Sequence, residues 1–311
     1  KMQPFFRKPQ PHSPADTLRL SLAEKVRSLV LTKGETDERI PGLHLSYLER
    51  SSVQSNCFYV LSIGIILQGK KRLNIGNKTY EYGDGAMLLT SIDMPTSYEL
   101  LEVSPSKPFV SFSLRLNPAI LTEILSEEPT EKTEPEVFRV EQATQELLED
   151  FDRLLRLLDH PSQIEARAPL LIRDIHYLAL SSAAGECLRS IYAPNSTGQK
   201  IKKVVKWLRE NFREAISIDQ LSQVAGMSPS TLSRHLKAFT SLSPLQYQKR
   251  LRLYEAQQFL LKGEGDVNSA AYTVGYLSPQ QFNRDYRRFF GVSPGKSTKT
   301  IRQEIYQNAQ E

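Results

Sequence analysis

Two short stretches in the C-terminal third carry side chains of the kind that read the surface of a polyanion. Ser230, Thr231, Ser233, Arg234 and Lys237 follow a Ser228-Pro229 pair, and Gln280, Gln281, Asn283, Arg284 and Arg287 follow Ser278-Pro279. At helical spacing they fall opposite Leu232, Leu236 and Phe239 in the first stretch, and opposite Phe282, Tyr286 and Phe289 in the second. Arg pairs with guanine, and Gln or Asn with adenine, through two hydrogen bonds each. A good pair contributes about 1–3 kcal/mol of discrimination between bases. One helix of this kind is more often simply solvated. Two of the same design in one chain point to contacts with double-stranded operator DNA.

The elements that must position these residues repeat at a spacing of 50. Gln223-Val224-Ala225-Gly226-Met227-Ser228-Pro229 is echoed by Thr273-Val274-Gly275-Tyr276-Leu277-Ser278-Pro279, and Ser243-Pro244 by Ser293-Pro294. Each copy reads as a helix, a tight turn and a second helix. In the first, Asp219 is expected to cap a short helix holding Leu221, Val224 and Ala225. Gly226 permits a left-handed turn, and Ser228-Pro229 supply the N-cap and first residue of the next helix. Residues 244–261 read as one amphipathic helix between the copies, with Leu245, Leu251, Tyr254, Ala256 and Leu260 as its buried candidates. About 18 residues at 1.5 Å each span roughly 27 Å, comparable to the ~34 Å between successive major grooves on one face of DNA. One chain is therefore expected to dock two recognition helices in consecutive major grooves.

The remainder of the 311-residue chain is long enough for a second folded unit. The total charge of +5 is unevenly spread: residues 199–311 hold 18 Lys and Arg against 9 Asp and Glu, net +9, leaving net −4 for residues 1–198. Only the C-terminal part carries the surplus positive charge that phosphate neutralisation calls for. Cys57 and Cys187 are the two cysteines. They have no metal-like spacing and read as buried, inert thiols rather than sensors. His12, His44, His160, His176 and His235 are scattered, and none falls in the strand-rich run 58–116. Neither a phosphate-cradling loop nor a nucleophile elbow occurs. No catalytic residue, metal or cofactor is expected. No run approaches the roughly 20 apolar residues of a membrane span, and residues 1–14 lack the pattern of a secretory signal, so the expected location is cytoplasmic.

Residues 15–34 read as a helix ended by Gly34. From 42 to 116, short β-rich runs are broken by Gly, Asn, Asp and Pro, with residues 71–75 and 78–82 as a hairpin around Gly76-Asn77 and a further turn at Gly83-Asp84-Gly85. Strands spaced this closely suggest a small antiparallel barrel or sandwich. After Asn117-Pro118 two apolar stripes follow, Leu147, Leu148, Phe151, Leu154, Leu155 and Leu158, then Leu171, Ile172, Ile175, Leu178 and Ala179. These helices either cover the strands or pair with another subunit. The expected class is α+β, with a barrel over about 40–116 and helices over about 117–190. The expected domains are 1–192, a linker at 193–199, two helix-turn-helix units over 200–298 and a tail at 299–311. In the barrel, Tyr59, Met94, Tyr98 and Phe112 are candidate apolar lining for an effector and Arg115 a candidate anion partner.

Residues 200–297 resemble the DNA-binding domain of the AraC/XylS family of bacterial transcription regulators. The resemblance rests on residues 218–228, Leu232-Ser233-Arg234, Arg250-Leu251, Ala256, Leu260-Leu261, Val274-Gly275-Tyr276 and Phe289-Phe290-Gly291-Val292-Ser293-Pro294. Leu236 departs from the family's usual Phe, and Thr240-Ser241 from the Gly that commonly precedes the first Ser-Pro. The N-terminal half is similar to the sensing domain of one branch of the family, through Ile66-Leu67-Gln68-Gly69-Lys70, Tyr80-Glu81-Tyr82-Gly83-Asp84 and Asp93-Met94-Pro95. That similarity implies a cupin-like barrel, a small organic effector and a homodimer formed through the helices; RNA polymerase is a further partner such regulators imply. Rival expectations are a metal-dependent cupin enzyme fused to a DNA reader, and a non-specific architectural DNA binder.

Overall fold

The computed structural model describes residues 13–50, 55–75, 78–126 and 136–309. Its internal contacts define two compact units, one of residues 1–202 with 238–241, the other of residues 203–237 with 242–311.

The first unit opens with α1 (Pro14–Lys33). The Ser13 hydroxyl accepts the Asp16 N–H, Pro14 lies in the first turn, and Gly34 at φ +89° ends the helix. Leu22, Val26 and Leu29 form its buried stripe. Nine strands follow: β1 (Leu43–Leu48), β2 (Ser55–Tyr59), β3 (Ser62–Gln68), β4 (Lys70–Ile75), β5 (Lys78–Gly83), β6 (Ala86–Thr90), β7 (Met94–Leu101), β8 (Phe109–Arg115) and β9 (Phe138–Gln142). They form two antiparallel sheets, ordered β1-β8-β3-β6-β9 and β2-β7-β4-β5. The β4–β5 hairpin sets Lys71 opposite Tyr82; its Gly76-Asn77 turn lies outside the described residues. Between β5 and β6, Asp84 Oδ1 accepts the Gly69 N–H at 2.7 Å, which fixes the Gly83-Asp84-Gly85 turn.

β9 lies beyond the strand region expected from the sequence, on the far side of α2 (Pro118–Leu125), and adds an edge to the first sheet with Phe138 opposite Thr90. The helices α3 (Gln145–Arg156), α4 (Ile164–Ser181) and α5 (Glu186–Tyr192) complete the unit. The first expected stripe is buried throughout, from Leu147 to Leu158. Phe151 of α3 lays its ring 4.2 Å from that of Phe112 on β8, backing the first sheet. On α4 only Ile175 and Ala179 of the second stripe are fully buried; Leu171, Ile172 and Leu178 are half-buried, while Leu170 and Tyr177 are exposed.

The rest is helical: α6 (Thr197–Asn211), α7 (Ile218–Ala225), α8 (Pro229–Thr240), α9 (Pro244–Lys262), α10 (Val267–Thr273), α11 (Pro279–Phe290) and α12 (Pro294–Ala309). α6 takes in the end of the expected linker, and α12 runs through the expected boundary at 298. The α+β class and the two helix-turn-helix units are both present. No helix among the described residues is long and apolar enough to cross a membrane.

Candidate functional site

Each recognition helix is built on a turn that its own sequence dictates. α7 is capped by Ser217, not by Asp219: the Ser217 hydroxyl accepts the Gln220 N–H while the Gln220 side chain accepts the Ser217 N–H. This capping box leaves Asp219 in the first turn, beside the helix dipole. Gly226 ends the helix in the left-handed region at φ +60°, and Met227 N–H reaches back to Ser222 O. In the second unit Gly275 takes that place at φ +91°, and Tyr276 N–H reaches Ala271 O. The turn glycines are thus 49 residues apart, whereas Pro229 and Pro279 are 50 apart. The second turn is one residue longer, which corrects the strict 50-residue repeat. The additional position is Leu277, 94% exposed.

α8 buries Leu232, Leu236 and Phe239 and exposes Ser230, Arg234 and Lys237; Thr231 and Ser233 are half-buried. The Ser228 hydroxyl accepts the Thr231 N–H and donates to its hydroxyl, so Thr231 is partly engaged at the helix start. α11 buries Phe282 and Tyr286 and exposes Gln280, Gln281, Arg284 and Arg287, with Phe289 only half-buried. Asn283 Nδ2 donates to Pro279 O at 2.8 Å; the back-bond leaves chiefly its amide oxygen for an outside donor. None of Arg234, Lys237, Arg284 and Arg287 has a carboxylate partner among the described residues. Their charges face solvent uncompensated, as phosphate-seeking groups must.

α9 holds this region together with polar groups the sequence reading did not single out. Gln248 Nε2 and Arg252 Nε donate to Phe212 O at 2.9 and 2.7 Å, closing the open carbonyl end of α6. Gln257 Nε2 donates to the Tyr286 hydroxyl at 3.1 Å, and that hydroxyl donates to Ser297 Oγ at 3.1 Å, a buried network tying α9 to α11 and α12. Leu251, Ala256 and Leu260 are buried as expected, but Leu245 is exposed and Tyr254 half-buried; Tyr247 and Leu253 fill the core instead.

In the first unit a partly open cavity of about 790 Å³ lies between the two sheets, a size suited to a small organic molecule. Tyr59, Tyr98, Phe112 and Arg115 line it. Met94 does not, although it lies opposite Tyr59 in the β2–β7 register: it is fully buried. The reading also missed Lys71, whose Nζ lies 4.1 Å from the Tyr98 ring centroid and 5.2 Å from that of Tyr59. The available signal was parity, because Lys71 alternates in register with buried Leu73 and Ile75. Burial lowers the Lys71 pKa and raises those of Tyr59 and Tyr82. Cys57 also lines the cavity, its Sγ 2.9 Å from Thr96 Oγ1, and burial pushes its thiol up to about 11. A thiol so protonated is a poor nucleophile.

Comparison with known proteins agrees with both regions. Residues 39–187 match the family model described as the AraC-type transcriptional regulator N-terminus, and residues 221–300 match a helix-turn-helix domain. The HTH-type transcriptional activator RhaS of Escherichia fergusonii is 29% identical over 163 residues, 51% of this chain and 56% of that protein. RhaS of an Enterobacter species is 34% identical over 95 residues, 30% of this chain and 34% of that one. The chain spans about half the length of the relatives it matches first. Among solved structures, ToxT from Vibrio cholerae shares the fold at a TM-score of 0.56 and 12% identity, over 83% of this chain and 98% of that one. A ToxT structure bound to an unsaturated fatty acid gives 0.54 and 13%, over 85% and 97%. With one match over the strand-and-helix region and another over the helix-turn-helix region, the chain belongs to the AraC family of transcriptional regulators.

Proposed function

We propose that this protein is a sequence-specific DNA-binding regulator whose α8 and α11 dock in consecutive major grooves and whose sheet cavity holds a small-molecule effector. The observation that carries the reading is the pair of recognition helices, each with one buried apolar face and one exposed face bearing an arginine, Arg234 or Arg284, with no carboxylate partner among the described residues. Base contacts fall first to Gln280, Asn283 and Arg284, then to Arg234, with Ser230, Thr231, Ser233, Lys237, Gln281 and Arg287 on sugar and phosphate. The cavity lining of Tyr59, Tyr98, Phe112 and Arg115 supports the effector half. The protein acts in the cytoplasm as a regulator rather than an enzyme, and effector binding shifts an equilibrium that alters operator occupancy. Pairing of two chains and contact with RNA polymerase extend the reading; the exposed Leu170 and Tyr177 on α4 support the pairing.

Selection from random duplexes, followed by anisotropy titrations at fixed salt, tests the DNA half. A defined motif is expected. Arg284→Ala is expected to weaken binding to it by about 1–3 kcal/mol and to relax preference at one base, while Lys262→Ala, at the C-terminal end of α9, changes little. A pool with no enriched motif would instead favour a non-specific architectural binder. Wild-type affinity in Arg284→Ala would remove α11 as a reader.

A further inference from the structure

The cations of β4 divide by face. On the outer face, Lys70 lies 4.0 Å from Glu81, and Arg72 lies 2.6 Å from Glu81 and 3.0 Å from Glu99. On the inner face Lys71 points into the cavity, and no carboxylate partners it among the described residues. What surrounds its ammonium is the faces of Tyr59 and Tyr98, with Tyr82 opposite it in the hairpin and Cys57 on the same wall. Burial raises the pKa values of Tyr59, Tyr82 and Cys57 and so holds those three in their neutral forms. A positive charge taken out of water with no counter-charge is costly, and two aromatic faces compensate only in part. The other walls are mixed: Val60, Leu88 and Phe109 are apolar, while Asp37, Glu38, Ser111, Ser113 and Arg115 also line the cavity.

We propose that the cavity is built for an organic carboxylate: its carboxylate pairs with Lys71 Nζ between the two tyrosine rings, and its apolar or aromatic body lies along the walls of Val60, Leu88 and Phe109. A neutral ligand would leave Lys71 as it is. The proposal rests on the reading of the cavity as the effector site. It names the chemical class that site selects.

Isothermal titration of the full chain with 2-naphthoate and with neutral 2-naphthalenemethanol, which share a ring system and differ in charge, tests it. 2-Naphthoate is expected to bind at least tenfold more tightly than the alcohol. Lys71→Met should remove that preference without weakening the alcohol, Lys71→Arg should keep most of it, and Arg72→Met on the outer face should leave both affinities unchanged. Equal affinities for acid and alcohol, or a preference that survives in Lys71→Met, would overturn the carboxylate assignment while leaving the cavity as an effector site. If neither probe binds at millimolar concentration, the cavity reading and the proposal fall together. Thermal unfolding of each variant confirms that it is folded.

Discussion

Gly275 has no room for a side chain. Its φ is +91°, and a Cβ there would lie 2.2 Å from the carbonyl oxygen of Arg213, an oxygen that also accepts from Arg252 Nη2 at 3.1 Å. Gly226, its counterpart, has φ +60° and open space around it. Gly226→Ala should therefore cost about 1–2 kcal/mol, the penalty of a left-handed backbone for an L-residue, and Gly275→Ala distinctly more, because the backbone must also give way. Trp207 on α6, the single tryptophan, reports unfolding of this unit by fluorescence in denaturant; equal losses in the two variants would mean the close approach is not real. Residues of this kind are legible in sequence where a backbone demand restricts the choice, as at the turn glycines and the Ser-Pro pairs. They are less legible where the burial of a polar group decides. Lys71 looks like one more surface lysine in Lys70-Lys71-Arg72 until its parity with Leu73 and Ile75 is followed, and Met94 shares a face of β7 with Tyr98 yet is fully buried outside the cavity lining.

At the scale of elements, two buried ionisable groups oppose each other in their response to pH. His176 of α4 accepts the Asn117 N–H on Nε2 at 2.7 Å, while its Nδ1 lies 2.6 Å from Ile172 O and must donate to it. The neutral ring pins the start of α2 to α4, and burial lowers its pKa from 6.5. The stability it contributes is present above that value and is lost as pH falls below it. Asp150 of α3 is the reverse case. One oxygen accepts from Arg153 at 2.7 Å and the other is buried with no hydrogen-bond donor among the described residues. Burial, then the neighbouring Asp174 carboxyl, raise its pKa from 3.8 to about 6. Its contribution is present below 3.8 and is lost as pH rises through 6. Asp150→Asn should accordingly melt higher than wild type at pH 8 and close to it at pH 4, while the acid-side loss due to His176 stays. A gap in melting temperature that does not vary with pH would exclude this account. The helices themselves were legible from their stripes and caps. β9 was not, because the five residues from Phe138 to Gln142 stand between helical segments and become a strand only by pairing with β6. The 49-residue offset was hidden because Ala225-Gly226 and Val274-Gly275 both supply a small residue to an alignment made at 50.

For the whole molecule the division of charge is the feature most plainly written in the sequence. Net +9 in residues 199–311 against net −4 in residues 1–198 leaves one region able to approach a polyanion. Such a count cannot say how many of those charges remain free. Lys249 is taken by Asp285 at 3.0 Å, Arg252 by backbone carbonyls and Arg250 by the Phe289 ring. On the recognition helices Arg234, Lys237, Arg284 and Arg287 stay exposed without carboxylate partners among the described residues. Each phosphate neutralised on duplex DNA contributes about −0.9 to the slope of log affinity against log salt. Arg234 and Arg284 are placed on bases, so if both helices dock, Lys237 and Arg287 on phosphate give a slope of about −1.8; if only one docks, its single phosphate cation gives about −0.9. Titrating one duplex with the full chain between 50 and 200 mM salt separates the cases. A slope of about −1.8 or steeper is expected, and one near −0.9 would mean that a single recognition helix engages the DNA.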